Sequence, residues 1–199
     1  MKNLLLIEQF AKEHFVPIAR KKTVEYMLSL IKENNYSSFL EIGTAIGYTS
    51  INVALLNKNI NVVTIEHDID RAIIAKKNFL DFELMNQIRL IVDDARFVEL
   101  EEKFDLIFID ASKKNNEFFL HKFSPLLNEN GTIIIDNMNL KEFWGEDANE
   151  KKIIKFQKIN EEFKKHILSL KEFDTKIYDD IGDGIAILRK AEKNHEHNN

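Results

Sequence analysis

Cysteine is absent from the chain, which excludes disulfides, thiolate zinc sites and cysteine nucleophiles together. Proline and glycine are scarce, at 2 and 6 of 199 residues. No Ser/Gly/Pro-rich linker divides the sequence, and no internal repeat is visible. Long apolar runs are missing too. The opening MKNLLLIEQF places only four consecutive apolar residues before Glu8, too short for a signal peptide. No segment approaches the length of a membrane span. The expected setting is the cytoplasm, with no membrane partner. An excess of positive charge is also lacking. The formal net charge of -5 argues against a strong, sequence-blind grip on nucleic acid, while leaving room for a local basic patch.

What remains is an ordinary globular balance of 44% hydrophobic and 31% charged residues. The length suits one domain with a sizeable core. We expect a single domain over 1–190, with a helical arm at 1–35 and a frayed polar tail at 191–199. His195 and His197 are read as solvated tail residues rather than metal ligands.

Apolar runs of strand length alternate with stretches of helical period. SSFLEIG (37–43), NVVTIEH (61–67), IRLIVDD (88–94), FDLIFID (104–110) and GTIIIDN (131–137) read as strands. Several are apolar almost throughout, as strands covered on both faces are. Helical patterns lie between them at about 47–58, 70–83 and 114–127. Two more helices, 3–12 and 18–34, precede the first strand, with Pro17 near the start of the second. A charged helix at about 148–170 follows the fifth strand. FDTKIYD and GIAILRK, joined through DIGDG, are too close for a crossover helix and so form an antiparallel hairpin. The result is an α/β architecture: a doubly wound, mostly parallel seven-stranded sheet with an antiparallel C-terminal hairpin.

Ligands of such sheets bind outside the carboxyl ends of the strands. LEIGTAIGYTS (40–50) occupies the first of these ends. Gly43 and Gly47 permit a tight turn and a close approach to a ligand. Ala45 replaces the middle glycine of a dinucleotide fingerprint and no Walker lysine follows, so a pyrophosphate cradle is disfavoured. Glu41 suits an amine-bearing ligand. Glu66 ends the second strand where an acid accepts from ribose hydroxyls, and Asp94 after the third is placed to meet an adenine amino group. Each acid alone is explained as well by helix capping, but three at successive strand ends point to a cofactor site.

Two later acids pose a separate question. Asp110 ends the fourth strand, and Asp136 with Asn137 ends the fifth. Adjacent parallel strands lie about 5 Å apart, so these groups can converge on one ion. Two carboxylates and an amide oxygen form a hard donor set suited to Mg²⁺ or Ca²⁺, with positions left for water and substrate. The alternative is that Asp110 caps a helix and Asp136-Asn137 makes a turn. Lys113, three residues beyond Asp110, is a candidate proton acceptor if a neighbouring cation lowers its pKa.

EIGTAIGYTS, IEHD, DDA, FIDASK, IIIDN and GDGIAI together resemble the metal-dependent O-methyltransferases of the catechol and caffeoyl-CoA type. The resemblance covers nearly the whole chain. It implies a Rossmann-like methyltransferase fold, S-adenosylmethionine as cofactor, and Mg²⁺ or another divalent cation held by Asp110, Asp136 and Asn137. Asp110 and Lys113 are then the catalytic pair. The same resemblance implies a cofactor site built from Val16, Glu41, Gly43, Thr44, Gly47, Tyr48, Ser50, Glu66, His67, Asp94, Ala95 and Asp110. Within the family, AKEHFVPIARKK, EIGTAIGY and IGDGIAI are most similar to the bacterial branch that methylates 5-hydroxyuridine at the tRNA wobble position. That branch implies the tRNA anticodon loop as substrate, and relatives are commonly homodimers, with the N-terminal helices as the contact. ASKKNN departs from the usual residues after the lysine.

Catechols offer two vicinal hydroxyls, and 5-hydroxyuridine offers its 5-hydroxyl with the 4-carbonyl oxygen, so the donor set serves both. Arg20, Lys21 and Lys22 in the arm, with Lys151, Lys152, Lys155 and Lys158 in the late helix, are the candidate phosphate contacts. Interleaved Lys and Glu also describe a solvated helix face. Phe143 and Trp144 are candidates for an aromatic lid over a small catechol or a flipped base. The alternatives to a tRNA enzyme are a small-molecule O-methyltransferase and a non-catalytic S-adenosylmethionine- or RNA-binding protein.

Overall fold

The computed structural model describes residues 3–111, 113–139 and 150–191. The side chains of Lys113, Glu150 and Lys152 lie outside that description, as do Phe143, Trp144, His195 and His197. Seven strands form one sheet: β1 (Ser38–Ile42), β2 (Asn61–Glu66), β3 (Ile88–Val92), β4 (Phe104–Ile109), β5 (Leu127–Ile135), β6 (Phe173–Tyr178) and β7 (Ile185–Lys190). Their order is β3-β2-β1-β4-β5-β7-β6. The first five run parallel, and β7 inserts antiparallel between β5 and the edge strand β6. This is the doubly wound arrangement expected, with the hairpin closing one side.

Alternation along the strands builds two cores. Phe39, Leu106, Phe108 and Ile134 face one layer. Their neighbours Leu40, Ile42, Ile107, Ile109, Ile133 and Ile135 face the other. Successive side chains of a strand point to opposite faces, which is why these strands are apolar at every position rather than at every second one. The first layer is covered by α1 (Leu4–Glu13), α2 (Lys21–Asn34), α3 (Tyr48–Leu56) and α4 (Ile69–Asp81). The second is covered by α5 (Asn116–Phe123) and α6 (Glu150–Ser169), through residues such as Phe119, Phe123, Phe163 and Ile167. The connection from β3 to β4 carries no helix.

Local chemistry fixes the helix ends. Asn3 accepts from the Leu5 backbone N–H to cap α1, and Asp68 accepts from Arg71 to cap α4. Asn35 closes α2 in the left-handed region at φ 54°, where asparagine is tolerated. Pro17 falls ahead of α2, which begins at Lys21 rather than 18. The five parallel strands stop one or two residues short of the sequence-based bounds. Asp94, Asp110 and Asp136 consequently stand just past the ends of β3, β4 and β5, on the loops. Strand order reverses between β1 and β4, and such a switch point opens a crevice at the carboxyl ends.

Candidate active site

The loop after β1 is shaped by two glycines. Gly43 has φ +102°, and a side chain there would collide with the backbone carbonyl oxygen of Asp110. Gly47 has φ +87°, and its Cβ would lie 2.5 Å from the Phe79 ring. The loop therefore touches β4 at one end and α4 at the other. Gly43 and Thr44 backbone N–H groups donate to the Ile65 carbonyl at 3.0 and 3.2 Å. Asn78 donates to the Ile46 carbonyl at 2.8 Å.

Glu66 anchors the same loop. Its Oε2 accepts from the Ala45 backbone N–H at 2.7 Å, and its Oε1 from that of Asp68 at 2.9 Å. Ala45 itself sits at φ 48°, so the carboxylate holds a backbone conformation that alanine seldom adopts. His67 Nδ1 lies 3.3 Å from Glu66 Oε1, so the acceptor capacity that remains for a ligand is mainly on Oε2.

Glu41 lies beneath the loop. It shares a sheet face with Phe39 and points toward α3, where the Ser50 hydroxyl donates to its Oε2 at 2.5 Å. Thr64 donates to the same oxygen at 2.7 Å, and Thr44 meets Thr64 at 2.6 Å. Burial pushes the Glu41 carboxyl up to about 8, against the pull of the Ser50 and Thr64 hydroxyls. Glu41, Thr44 and Ser50 thus form a buried network that supports the loop from below. Tyr48 turns toward the arm instead, donating to Glu8 Oε1 on α1 at 2.6 Å, and burial together with Glu8 raises its pKa. Val16 packs against the first core layer.

A cleft of about 160 Å³ opens beside the loop, with Gly43, His67, Asp94 and Ala95 in its wall. Those four expected cofactor contacts are brought together. Arg96, Asn115 and Phe119 line it as well, and sequence reasoning missed all three. Arg96 binds Asp94 through Nε at 3.0 Å and Nη2 at 2.5 Å, holding the Asp94 carboxyl down at about 2. A signal existed for Arg96, two residues from an acid at a strand end. None existed for Phe119, which reads as one more core position of a helix.

The second group of acids converges next to the first. Asp110 N–H donates to Ile42, and Asp136 N–H to Ile109, which continues the parallel ladder past both strand ends. Asn137 Nδ2 donates to Asp110 Oδ1 at 2.9 Å, and the Asn137 backbone N–H donates to Asp136 Oδ1 at 2.8 Å. Asp136 is buried and Asp110 half-buried. Among the described residues, no group of three or more His, Cys, Asp or Glu side chains is placed to hold a metal. The set here is two carboxylates and one amide, hard oxygen donors of the kind Mg²⁺ prefers. Lys113 opens a short 3₁₀ turn, Lys113–Asn115, directly after this cluster.

No helix among the described residues is long and apolar enough to cross a membrane. Solved structures share the architecture. A Staphylococcus aureus chain assigned as a caffeoyl-CoA O-methyltransferase superposes with a TM-score of 0.86 at 30% identity, covering 96% of this chain and 93% of that one. The Podospora anserina methyltransferase PaMTH1, bound to SAH, gives 0.82 at 18% identity over 96% and 89%. At that identity the likeness is one of fold. Among curated proteins, the O-methyltransferase imqG of Aspergillus flavus is 32% identical over 111 residues, 50% of this chain and 44% of its own length. A catechol O-methyltransferase of Niastella koreensis is 33% identical over 126 residues, 59% and 55% of the two chains. The chain thus spans about half the length of these curated relatives. The profile of the O-methyltransferase family matches residues 6–191, from the first helix to the last strand, and the chain belongs to that family.

Proposed function

We propose that this chain is an S-adenosylmethionine-dependent O-methyltransferase that holds a divalent cation on Asp110, Asp136 and Asn137 and methylates one oxygen of a vicinal pair. The contact between Gly43 and Asp110 carries the reading. No side chain fits between the cofactor loop and the backbone of the first metal-donor residue, so a methyl donor on the loop and an oxygen held by the cation would be neighbours.

Asp94 and the free acceptor positions of Glu66 suit an adenine amino group and ribose hydroxyls respectively. When bound, the cofactor supplies an electrophilic methyl group, and the cation supplies charge that lowers the pKa of the substrate hydroxyl. Asp110 and Asp136 contribute the negative charge that retains the cation, and Asn137 contributes a neutral oxygen. Lys113 is assigned as acceptor of the hydroxyl proton. The chain's remaining work is to align the substrate oxygen with the methyl carbon and keep water out.

The substrate we propose is 5-hydroxyuridine at the tRNA wobble position, giving 5-methoxyuridine. Exposed Lys21 and Lys22 at the start of α2, with exposed Lys151, Lys155 and Lys158 on α6, support a phosphate-binding surface. A second reading, methylation of a small catechol, is favoured by the Niastella koreensis relative. Turnover measured side by side on tRNA bearing 5-hydroxyuridine and on a simple catechol separates them. Preference for the tRNA supports the first reading; methylation of the catechol with no incorporation into tRNA replaces it with the second.

A further inference from the structure

We propose that the ion pair between Arg20 and Asp183 is a positioning device for the donor set at the ends of β4 and β5, which makes the segment ahead of α2 a working part of the site. The inference rests on the reading of Asp110, Asp136 and Asn137 as cation donors.

The turn between β6 and β7 is built for close approach on two sides. It is closed by Gly184 N–H donating to the Ile181 carbonyl at 2.9 Å. On one side it grips the two residues after Asn137. Met138 N–H donates to the Gly184 carbonyl at 2.8 Å, and Asn139 N–H to the Asp183 carbonyl at 2.7 Å. A Cβ on Gly184 would lie 2.6 Å from the Asn139 nitrogen, and Gly184 has φ +80°. Only glycine lets these two backbones lie so close. On the other side, Arg20 Nε donates to Asp183 Oδ2 at 2.8 Å, and a side chain on Gly182 would strike the Thr23 hydroxyl.

Asn137 is thereby held from both directions. Before it, Asp136 is fixed to the ladder through Ile109. After it, Met138 is fully buried, and its carbonyl accepts from Asn160 Nδ2 on α6 at 2.7 Å. Asn137 itself sits at φ 63°, in the left-handed region that asparagine tolerates, and the groups bonded on either side of it set where its side chain leaves the chain. The turn supplies some of those groups, and Asp183 is the residue that ties it to the arm. The Asp183 side chain is 10% exposed and that of Arg20 56%. Arg20 is the solvent-facing partner, so replacing it removes a pair screened on that side and is expected to act on the site more than on the fold, whereas Asp183→Asn alters a largely covered carboxylate.

The test uses the full chain with Asp183→Asn, Arg20→Gln, the conservative Arg20→Lys, and the exchange Arg20→Asp with Asp183→Arg. Mn²⁺ affinity is read from the paramagnetic resonance of the free ion, beside S-adenosylmethionine affinity by calorimetry and thermal midpoint. The expected result is Mn²⁺ binding weakened about 10–100-fold in Asp183→Asn and Arg20→Gln, the loss typical when groups behind metal ligands are removed. Cofactor affinity and thermal midpoint stay near those of the parent, while Arg20→Lys and the exchange recover part of the loss. If Asp183→Asn does not fold, Arg20→Gln carries the test alone, since it alters a half-exposed side chain. Parent-like Mn²⁺ affinity in the single variants overturns this inference and leaves the proposed function standing. Absence of Mn²⁺ binding in the parent overturns both.

Discussion

The Asn137 side-chain amide donates to Asp110 Oδ1 at 2.9 Å, joining the ends of two neighbouring parallel strands. To offer its oxygen to a cation beside Asp110, the amide would turn over and exchange this bond for a metal–oxygen contact. Asparagine suits the place twice, because it tolerates the left-handed backbone at φ 63° and carries a neutral oxygen donor.

The two roles separate in two variants. Asn137→Gly keeps the backbone at ease and removes the amide, whereas Asn137→Ala removes the amide and strains the backbone by roughly 1–2 kcal/mol. We expect both to weaken activation by Mg²⁺, with only the alanine variant clearly less stable to denaturant. Unchanged Mg²⁺ activation in both would remove Asn137 from the donor set.

Cofactor affinity should depend on Gly43 and Glu66. An alanine at Gly43 meets the Asp110 carbonyl, on top of backbone strain on the order of 1–3 kcal/mol at such a φ. Glu66→Ala frees the Ala45 and Asp68 backbone N–H groups. Calorimetry on the folded variants is expected to show weaker S-adenosylmethionine binding in each. Unaltered affinity in both would place the cofactor elsewhere.

Glu41 makes stability depend on pH. Its folded pKa of about 8 exceeds the ordinary value of 4.5, so between these values the folded protein holds a proton that the unfolded chain has released. The Glu41 contribution to stability is then greatest below pH 4.5, declines as pH rises, and is lost above about pH 8. Glu41→Gln keeps an acceptor for Ser50 and Thr64 without the titration. Denaturant midpoints at pH 5 and pH 8 should fall with pH in the parent and much less in Glu41→Gln. Equal slopes would mean that Glu41 is ionised when buried.

Much of this was legible in the sequence, for identifiable reasons. Runs such as FDLIFI and GTIII can be satisfied only by burial on both faces, which gave the parallel sheet and so the place of Asp110 and Asp136 at its carboxyl edge. Glycines at positive φ marked the loop. The directions of the side chains were not legible. Glu41 reads as a ligand contact by its position, and the bond it accepts from Ser50 under the loop follows from period-two alternation that the motif alone does not display. Tyr48 follows Gly47 in sequence but spends its hydroxyl on Glu8, a partner forty residues away. Arg20 was expected among the phosphate contacts, and its pairing with Asp183 spans 163 positions. No local pattern encodes such a pairing.

That pairing changes how the RNA reading is tested. Lys21 and Lys22 are exposed at the start of α2, so reversing their charge spares the Arg20–Asp183 pair. The double variant should methylate tRNA more slowly and show a shallower loss of tRNA affinity with salt, because fewer counterions are released. Catechol methylation, where detectable, should be unchanged. An unaltered salt slope would move the RNA contact to another surface.

The central claim is a methyl transfer that depends on both cofactor and cation. It is tested most directly by following isotope-labelled methyl from S-adenosylmethionine to 5-hydroxyuridine tRNA and to a catechol, in enzyme stripped of metal and then supplied with Mg²⁺. The account predicts negligible transfer in the stripped enzyme, restoration to at least one acceptor by Mg²⁺, and cofactor binding that survives metal removal. Full transfer in the metal-free enzyme, or none to either acceptor after Mg²⁺ is restored, would contradict it.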